Sequence, residues 1–273
     1  MPLDHDRENG LMAVSVTEPL YLSEHFMRDG HSAEKANGTM TYIRFEGHLF
    51  GVTCAHVYFQ QYDESGVASK CLTAFGDRIV YQFGTWVESG YKSHFRSMRN
   101  SAGDTSNPDI AIVFLDEAYE SIHMSRKSKS AINLSAMGEP NWKGASMCMA
   151  AGFPTEHKTQ TEQIVSAELL QVIAECTTPI SPGREKFSLF SCLSEPHNVY
   201  LSGMSGGPIF CDSVNEEELA LVGIIFEGTP GSSEQWRARG DSSFYTDNDV
   251  HISGYTVTAE IFRGWLVALG YYN

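Results

Sequence analysis

The sequence predicts an all-β protein: two six-stranded antiparallel β-barrels followed by a C-terminal α-helix. Three observations lead there. Short runs rich in β-branched and aromatic residues, many alternating apolar with polar, recur along the chain. Gly, Pro, Asn or Asp separate them, and 24 Gly and 10 Pro in 273 residues suit a loop-rich globular unit. Only the last apolar stretch has helical spacing, so no alternation of strands with helices is present.

Taken in order, AVSVTEPLYL, GTMTYIRF, HLFGVTCAHVY, DRIVYQFGTWV and DIAIVFLD supply strands for a first barrel over 12–117. A polar connection over 118–144 follows. SMCMAAGF, EQIVSAELLQVIAE, KFSLFSCL, GPIF, LALVGIIFEG and HISGYTVTA supply a second barrel over 145–258. The helix occupies 259–270, with Ile261, Trp265 and either Leu266 or Leu269 on one face. There is no internal repeat, and no segment after the helix is expected to carry a further module.

The formal net charge of −15 disfavours nucleic acid and anionic membrane as partners. The basic cluster Arg126-Lys127-Lys129 reads as a solvated linker between the barrels. MPLDHDRENG is acidic and polar, without the cationic flank of a secretory signal, and no apolar run approaches the roughly 18 residues of a membrane span. A cytoplasmic protein is expected. The six cysteines show no CxxC spacing, so no metal site and no cofactor is expected.

Three segments carry chemistry. Gly203-Met204-Ser205-Gly206-Gly207-Pro208 places a serine on a glycine-rich turn, where backbone N–H groups can converge on one point. Thr53-Cys54-Ala55-His56-Val57 closes one apolar run, and Asp109-Ile110-Ala111-Ile112-Val113 opens another. Each residue also fits a bland role: a packed histidine, a turn-forming aspartate, a merely small serine. Together they supply the three side chains of a nucleophile, base and orienting carboxylate, in the order His56, Asp109, Ser205. Asp104 and Asp116 are rivals for the carboxylate, but only Asp109 immediately precedes the IAIV strand. An α/β-hydrolase requires the serine first, on a strand-to-helix elbow that Pro208 forbids.

These blocks resemble those of the trypsin-like (chymotrypsin-fold) serine peptidases, along most of the chain. TCAHV is similar to the family's TAAHC or TNNHV, DIAIVFL to its DIALL and GMSGGPIFC to its GDSGGPLVC; VGIIFEG and GYTVTA resemble its substrate-pairing and last strands. The likeness is to single-domain bacterial and HtrA-like members more than to digestive zymogens. It implies a cleft between the barrels, with His56 as general base, Asp109 orienting it, Ser205 as nucleophile, and the N–H groups of Gly203 and Ser205 as the oxyanion hole. Val199 and Tyr200 fall where the specificity pocket has its base, and Ile225, Phe226, Glu227 and Gly228 where it has a wall. A small or apolar residue before the scissile bond is preferred; Glu227 is near enough in sequence to make a basic one the alternative.

Met204 departs from the family, standing where zymogen-type members carry the aspartate that pairs with a new N-terminus. Either the oxyanion loop forms without processing, or a partner or ligand organises it. Phe226 stands where digestive members have a small serine. Cys148 and Cys211 match two positions bridged in many secreted members, but in a cytoplasmic protein reduced, buried thiols are expected, with the bridge the alternative. The polar stretches 88–108 and 228–250 either border the cleft or are surface loops. The function expected is a serine endopeptidase with protein or peptide substrates, controlled by a regulatory protein or ligand. A catalytically inactive binding module on the same fold is the alternative.

Overall fold

The computed structural model describes residues 3–23, 37–59, 70–75, 79–83, 95–101, 103–161, 164–178, 180–196, 198, 200–214, 218–231 and 246–272. The first half contains β1 (Thr17–Ser23), β2 (Asn37–Phe45), β3 (His48–Thr53), β4 (Lys70–Phe75), β5 (Ile79–Phe83), β6 (Arg96–Ser97), β7 (Ala111–Leu115) and β8 (Ile132–Asn133). The second contains β9 (Met147–Gly152), β10 (Lys158–Thr161), β11 (Ile164–Ala167), β12 (Leu170–Cys176), β13 (Lys186–Cys192), β14 (Pro208–Asp212), β15 (Leu219–Thr229) and β16 (Asp249–Thr256). Helices are α1 (Leu3–Ser15), α2 (Ala55–Phe59) and α3 (Ala259–Ala268).

The second half is a closed six-stranded antiparallel barrel, in the order β12-β13-β16-β15-β14-β9. The first half departs from expectation: its strands follow the open path β5-β4-β1-β2-β3-β7-β6, so no second closed barrel exists among the described residues. Closure would need β6 to reach β5. β6 pairs through only Arg96↔Ile112 and Ser97↔Ala111, and then the chain turns, the Arg99 N–H donating to Ser97 Oγ at 3.1 Å. β8 adds a short parallel pairing to β2, so the sheet is not wholly antiparallel.

Three elements expected as strand are otherwise. Residues up to Ser15 form α1, because Ala13 and Val16 bury against the core shared by both halves while Val14 stays exposed; the alternation in AVSV is equally one turn of a half-buried helix. The run through His56 breaks at Thr53, and AHVYF coils into α2. EQIVSAELLQVIAE divides at Glu168 into β11, which among the described residues pairs only with β10, and β12, which joins the barrel.

The connection is not a solvated linker either. Lys127 and Lys129 converge on Glu18 of β1, whose side chain is 2% exposed. Lys129 Nζ also donates to the carbonyls of Val14 and Thr17 at 2.8 and 2.6 Å. Burial pushes the Glu18 carboxyl up, but His123, Lys127 and Lys129 outweigh it and hold it below the ordinary range.

α3 starts where Thr258 Oγ1 accepts the Ile261 N–H at 3.1 Å and stops before Gly270, which takes φ +71° while the Tyr271 N–H reaches back to the Leu266 carbonyl. Phe262, Trp265 and Leu266 are its buried residues, whereas Ile261 is only partly covered. They join Phe50, Ile112, Phe210, Leu221 and Tyr255 in a core spanning both halves. Each such side chain contributes about 1.5–3 kcal/mol, and this shared core holds the two halves in register at the site.

Candidate active site

β3 delivers Thr53 and Cys54 to the junction between the halves. The Cys54 thiol is buried there and donates to the Ile225 carbonyl at 3.0 Å. Burial, with Asp109 adding to it, pushes this thiol well above its ordinary value, so it stays protonated and tethers the start of α2 to β15. One residue into α2 stands His56.

Asp109, on the turn entering β7, grips His56 twice. Its Oδ1 accepts the His56 backbone N–H and its Oδ2 accepts Nδ1–H, both at 2.8 Å. An ionised carboxylate only accepts, which puts a proton on Nδ1, so the neutral imidazole carries its lone pair on Nε2. Asp109 is itself held: its N–H donates to the Tyr255 hydroxyl at 3.0 Å, and Arg99 Nη1 lies 3.1 Å from Oδ2. Burial pushes the Asp109 carboxyl up, but the His56 bonds and the Arg99 charge prevail and hold it below its ordinary value. The rivals are occupied elsewhere. Asp104 accepts from the Asn100 and Ser106 N–H groups in a local turn, and Asp116 accepts the Tyr119 N–H at 2.8 Å.

Ser205 rides on a turn whose shape demands glycine. Gly203 and Gly206 take φ +100° and +93°. A Cβ on Gly203 would fall 2.6 Å from the Phe153 carbonyl oxygen, and one on Gly206 would collide with the Thr39 carbonyl. The turn is sewn to the first half: the Thr39 N–H donates to the Ser205 carbonyl at 3.0 Å, Thr39 Oγ1 to that of Gly203 at 2.8 Å, and Thr41 Oγ1 to that of Gly206 at 2.7 Å. The N–H groups of Met204, Gly206 and Gly207 are engaged by the carbonyls of Leu201, Ile225 and Met204. Among the described residues, those of Gly203 and Ser205 donate to none. The Met204 side chain is 1% exposed in the second-half core, against the backbone of Gly152. The Ser205 hydroxyl points to the Phe226 carbonyl at 3.5 Å, not to His56.

The residues expected to line a pocket fare differently. Val199 lies outside the described residues. Tyr200 is half-buried beside Leu201, which packs where a Cβ on Gly228 would be, 2.7 Å from Leu201 Cβ. Phe226 sits at an irregularity in the β15–β16 ladder, its ring 4.6 Å from that of Tyr255. Ile225 is buried in the second-half core, its backbone engaged under the Ser205 turn, while Glu227 is exposed. Of the stretch 88–108, Arg99 returns to the site; 88–94 lies outside the described residues, as does most of 228–250. Sequence reasoning missed Arg99 and Tyr255. Nothing marks Arg99 among other loop arginines, whereas Tyr255 stood inside the quoted GYTVTA block.

The sequence matches no family model and no curated protein. Solved structures do match. The thermostable serine protease AL20 from an extremophilic microorganism aligns with a TM-score of 0.52 and 15% identity, over 94% of this chain and 98% of that one. The chain has the trypsin-like serine protease fold. Two further solved structures match less well: the protease Anisep from Arthrobacter nicotinovorans (TM-score 0.49, 12% identity, 93% of this chain and 95% of that one) and Deg5 (0.45, 13%, 83% and 86%). In this fold, His56 and Asp109 come from the first half and Ser205 from the turn before β14.

Proposed function

We propose that this protein is a serine endopeptidase that hydrolyses peptide bonds in protein or peptide substrates through His56, Asp109 and Ser205. The observation that carries this reading is the double grip of Asp109 on His56, together with a serine turn whose Gly203 and Ser205 N–H groups donate to none of the described residues. Catalytic hydrogen bonds are often unmade before substrate binds. The mechanism requires the Ser205 side chain to turn from the Phe226 carbonyl, its acceptor at 3.5 Å, toward Nε2.

His56 then takes the hydroxyl proton as Oγ attacks the substrate carbonyl, and Asp109 stabilises the imidazolium. The Gly203 and Ser205 N–H groups meet the developing oxyanion, each donor worth about 2.7–4 kcal/mol. His56 protonates the leaving amine, then activates the water that cleaves the acyl-enzyme. Rotation of Ser205 also frees the Phe226 carbonyl to accept a substrate N–H. Packing of Met204 holds the loop without a newly cleaved N-terminus, so activity precedes any proteolytic processing.

The test is covalent labelling with a fluorophosphonate probe on the folded wild type and on Ser205→Ala. Labelling of the wild type that Ser205→Ala abolishes is expected. A folded wild type that is not labelled, alone or with candidate activators, overturns the reading in favour of a binding module.

A further inference from the structure

β9 lies between β12 and β14 in the closed barrel, and each of the three strands carries a cysteine on the same face. The β9–β12 register pairs Cys148 with Ala174, placing Cys176 diagonally across the ladder. Ile209↔Ala150 and Phe210↔Met149 bring Cys211 up on the other side. The resemblance pointed to Cys148 and Cys211 as partners, yet all three are free thiols here and the short approach is the other one: the Cys148 and Cys176 sulfurs are 3.4 Å apart. That is only about 1.4 Å longer than a disulfide bond.

We propose that Cys148 and Cys176 form a reversible dithiol–disulfide site, with Cys176 as the entry thiol and Cys148 as the resolving one. Access sets the order of events. Cys148 and Cys211 are each 2% exposed, whereas Cys176 is partly open to solvent. The electrostatics agree: the hydrogen-bond contact between the two sulfurs lowers the Cys176 thiol and, together with burial, raises that of Cys148. Cys211 is pushed up to about 12, mainly by burial, and its thiol donates to the Asp212 carbonyl at 3.3 Å.

The oxidant is a small disulfide, for which oxidised glutathione serves as the probe. The Cys176 thiolate attacks one glutathione sulfur, the glutathione disulfide bond breaks, and one glutathione leaves as a thiolate that takes up a proton. Cys148 loses its proton to solvent and attacks the Cys176 sulfur of the mixed disulfide, expelling the second glutathione. Two protein thiols are oxidised and one disulfide is reduced to two thiols. The new bond ties β9 to β12. β9 also runs on to Gly152, against which Met204 of the serine turn packs, so oxidation stiffens the wall behind that turn. This proposal stands independently of the chemistry at Ser205.

The experiment equilibrates the full-length protein in reduced and oxidised glutathione, followed by disulfide mapping by mass spectrometry and thermal unfolding. Wild type is expected to yield a Cys148–Cys176 linked peptide and a melting temperature about 5–10 °C higher when oxidised, reversed by excess reduced glutathione. Cys176→Ser is expected to lose both the link and the shift. Cys211→Ser is expected to keep both. Cys148→Ser is expected to retain glutathione on Cys176, but because Cys148 is buried the decisive comparison is the partly exposed Cys176→Ser. A Cys148–Cys211 link, the absence of any intramolecular link under oxidising conditions, or a stable glutathione adduct on wild type overturns the proposal.

Discussion

Arg99→Ala removes a guanidinium whose side chain is 13% exposed and whose Nη1 sits 3.1 Å from the Asp109 oxygen that also holds His56. At an effective dielectric of about 20 the Coulomb attraction at that separation is about 5 kcal/mol. Desolvation of both partners opposes it and takes back more than half, leaving about 2 kcal/mol, in the range of a charge-assisted hydrogen bond. The two His56 bonds to Asp109 remain, so the aspartate is not stranded and the loss stays below that of a fully broken buried pair. The effect has a pH signature. Arg99 helps to lower the Asp109 carboxyl in the folded state, so its contribution is fully present above the unfolded value of about 3.9 and fades as pH falls through the lower folded value. Urea unfolding of wild type and Arg99→Ala is expected to differ by about 2 kcal/mol at pH 7, with the difference shrinking toward pH 3. A difference that persists unchanged at pH 3 would show that Arg99 acts through packing alone, and the electrostatic argument would fail.

Two other substitutions probe neighbouring groups. Gly203→Ala forces φ +100° on a residue with a Cβ aimed at the Phe153 carbonyl; thermal unfolding is expected to report a loss of about 1–3 kcal/mol. Fluorophosphonate labelling is expected to slow at least roughly 100-fold as the oxyanion donor moves, and an unchanged labelling rate would count against Gly203 as that donor. Tyr255→Phe leaves the buried Asp109 N–H without its 3.0 Å acceptor, a loss of about 1–3 kcal/mol in urea unfolding. A neutral result would mean that water takes the hydroxyl's place.

The β-rich architecture, the terminal helix and the placement of His56, Asp109 and the Ser205 turn were legible in the sequence because they depend on local signals: alternation, turn residues and glycines with left-handed φ. Asp109 also stood out from its rivals by its position at the mouth of a strand. What stayed hidden depends on distant partners. No local pattern tells Lys127 and Lys129 that Glu18 waits under β1, and a basic run on a polar segment looks solvated until a buried carboxylate is placed beneath it. Val14 and Val16 read as strand until the core shared by the two halves buries one and exposes the other. The shortness of β6 goes with a distant partner as well, since the chain turns after Ser97 and Arg99 reaches Asp109.

The threonine ladder beneath the serine turn ties the site to the folding reaction. Thr39 and Thr41 of the first sheet grip the carbonyls of Gly203, Ser205 and Gly206 on a loop that belongs, by connectivity, to the closed barrel. A chain in which only the barrel has formed therefore has the Ser205 turn without its threonine contacts and without His56, and one in which only the first sheet has formed has His56 with nothing to act upon. Serine reactivity is then an all-or-none reporter: during refolding it emerges when the seam closes, later than the signals from either half, and on heating it vanishes when the seam opens even while both halves keep their strands.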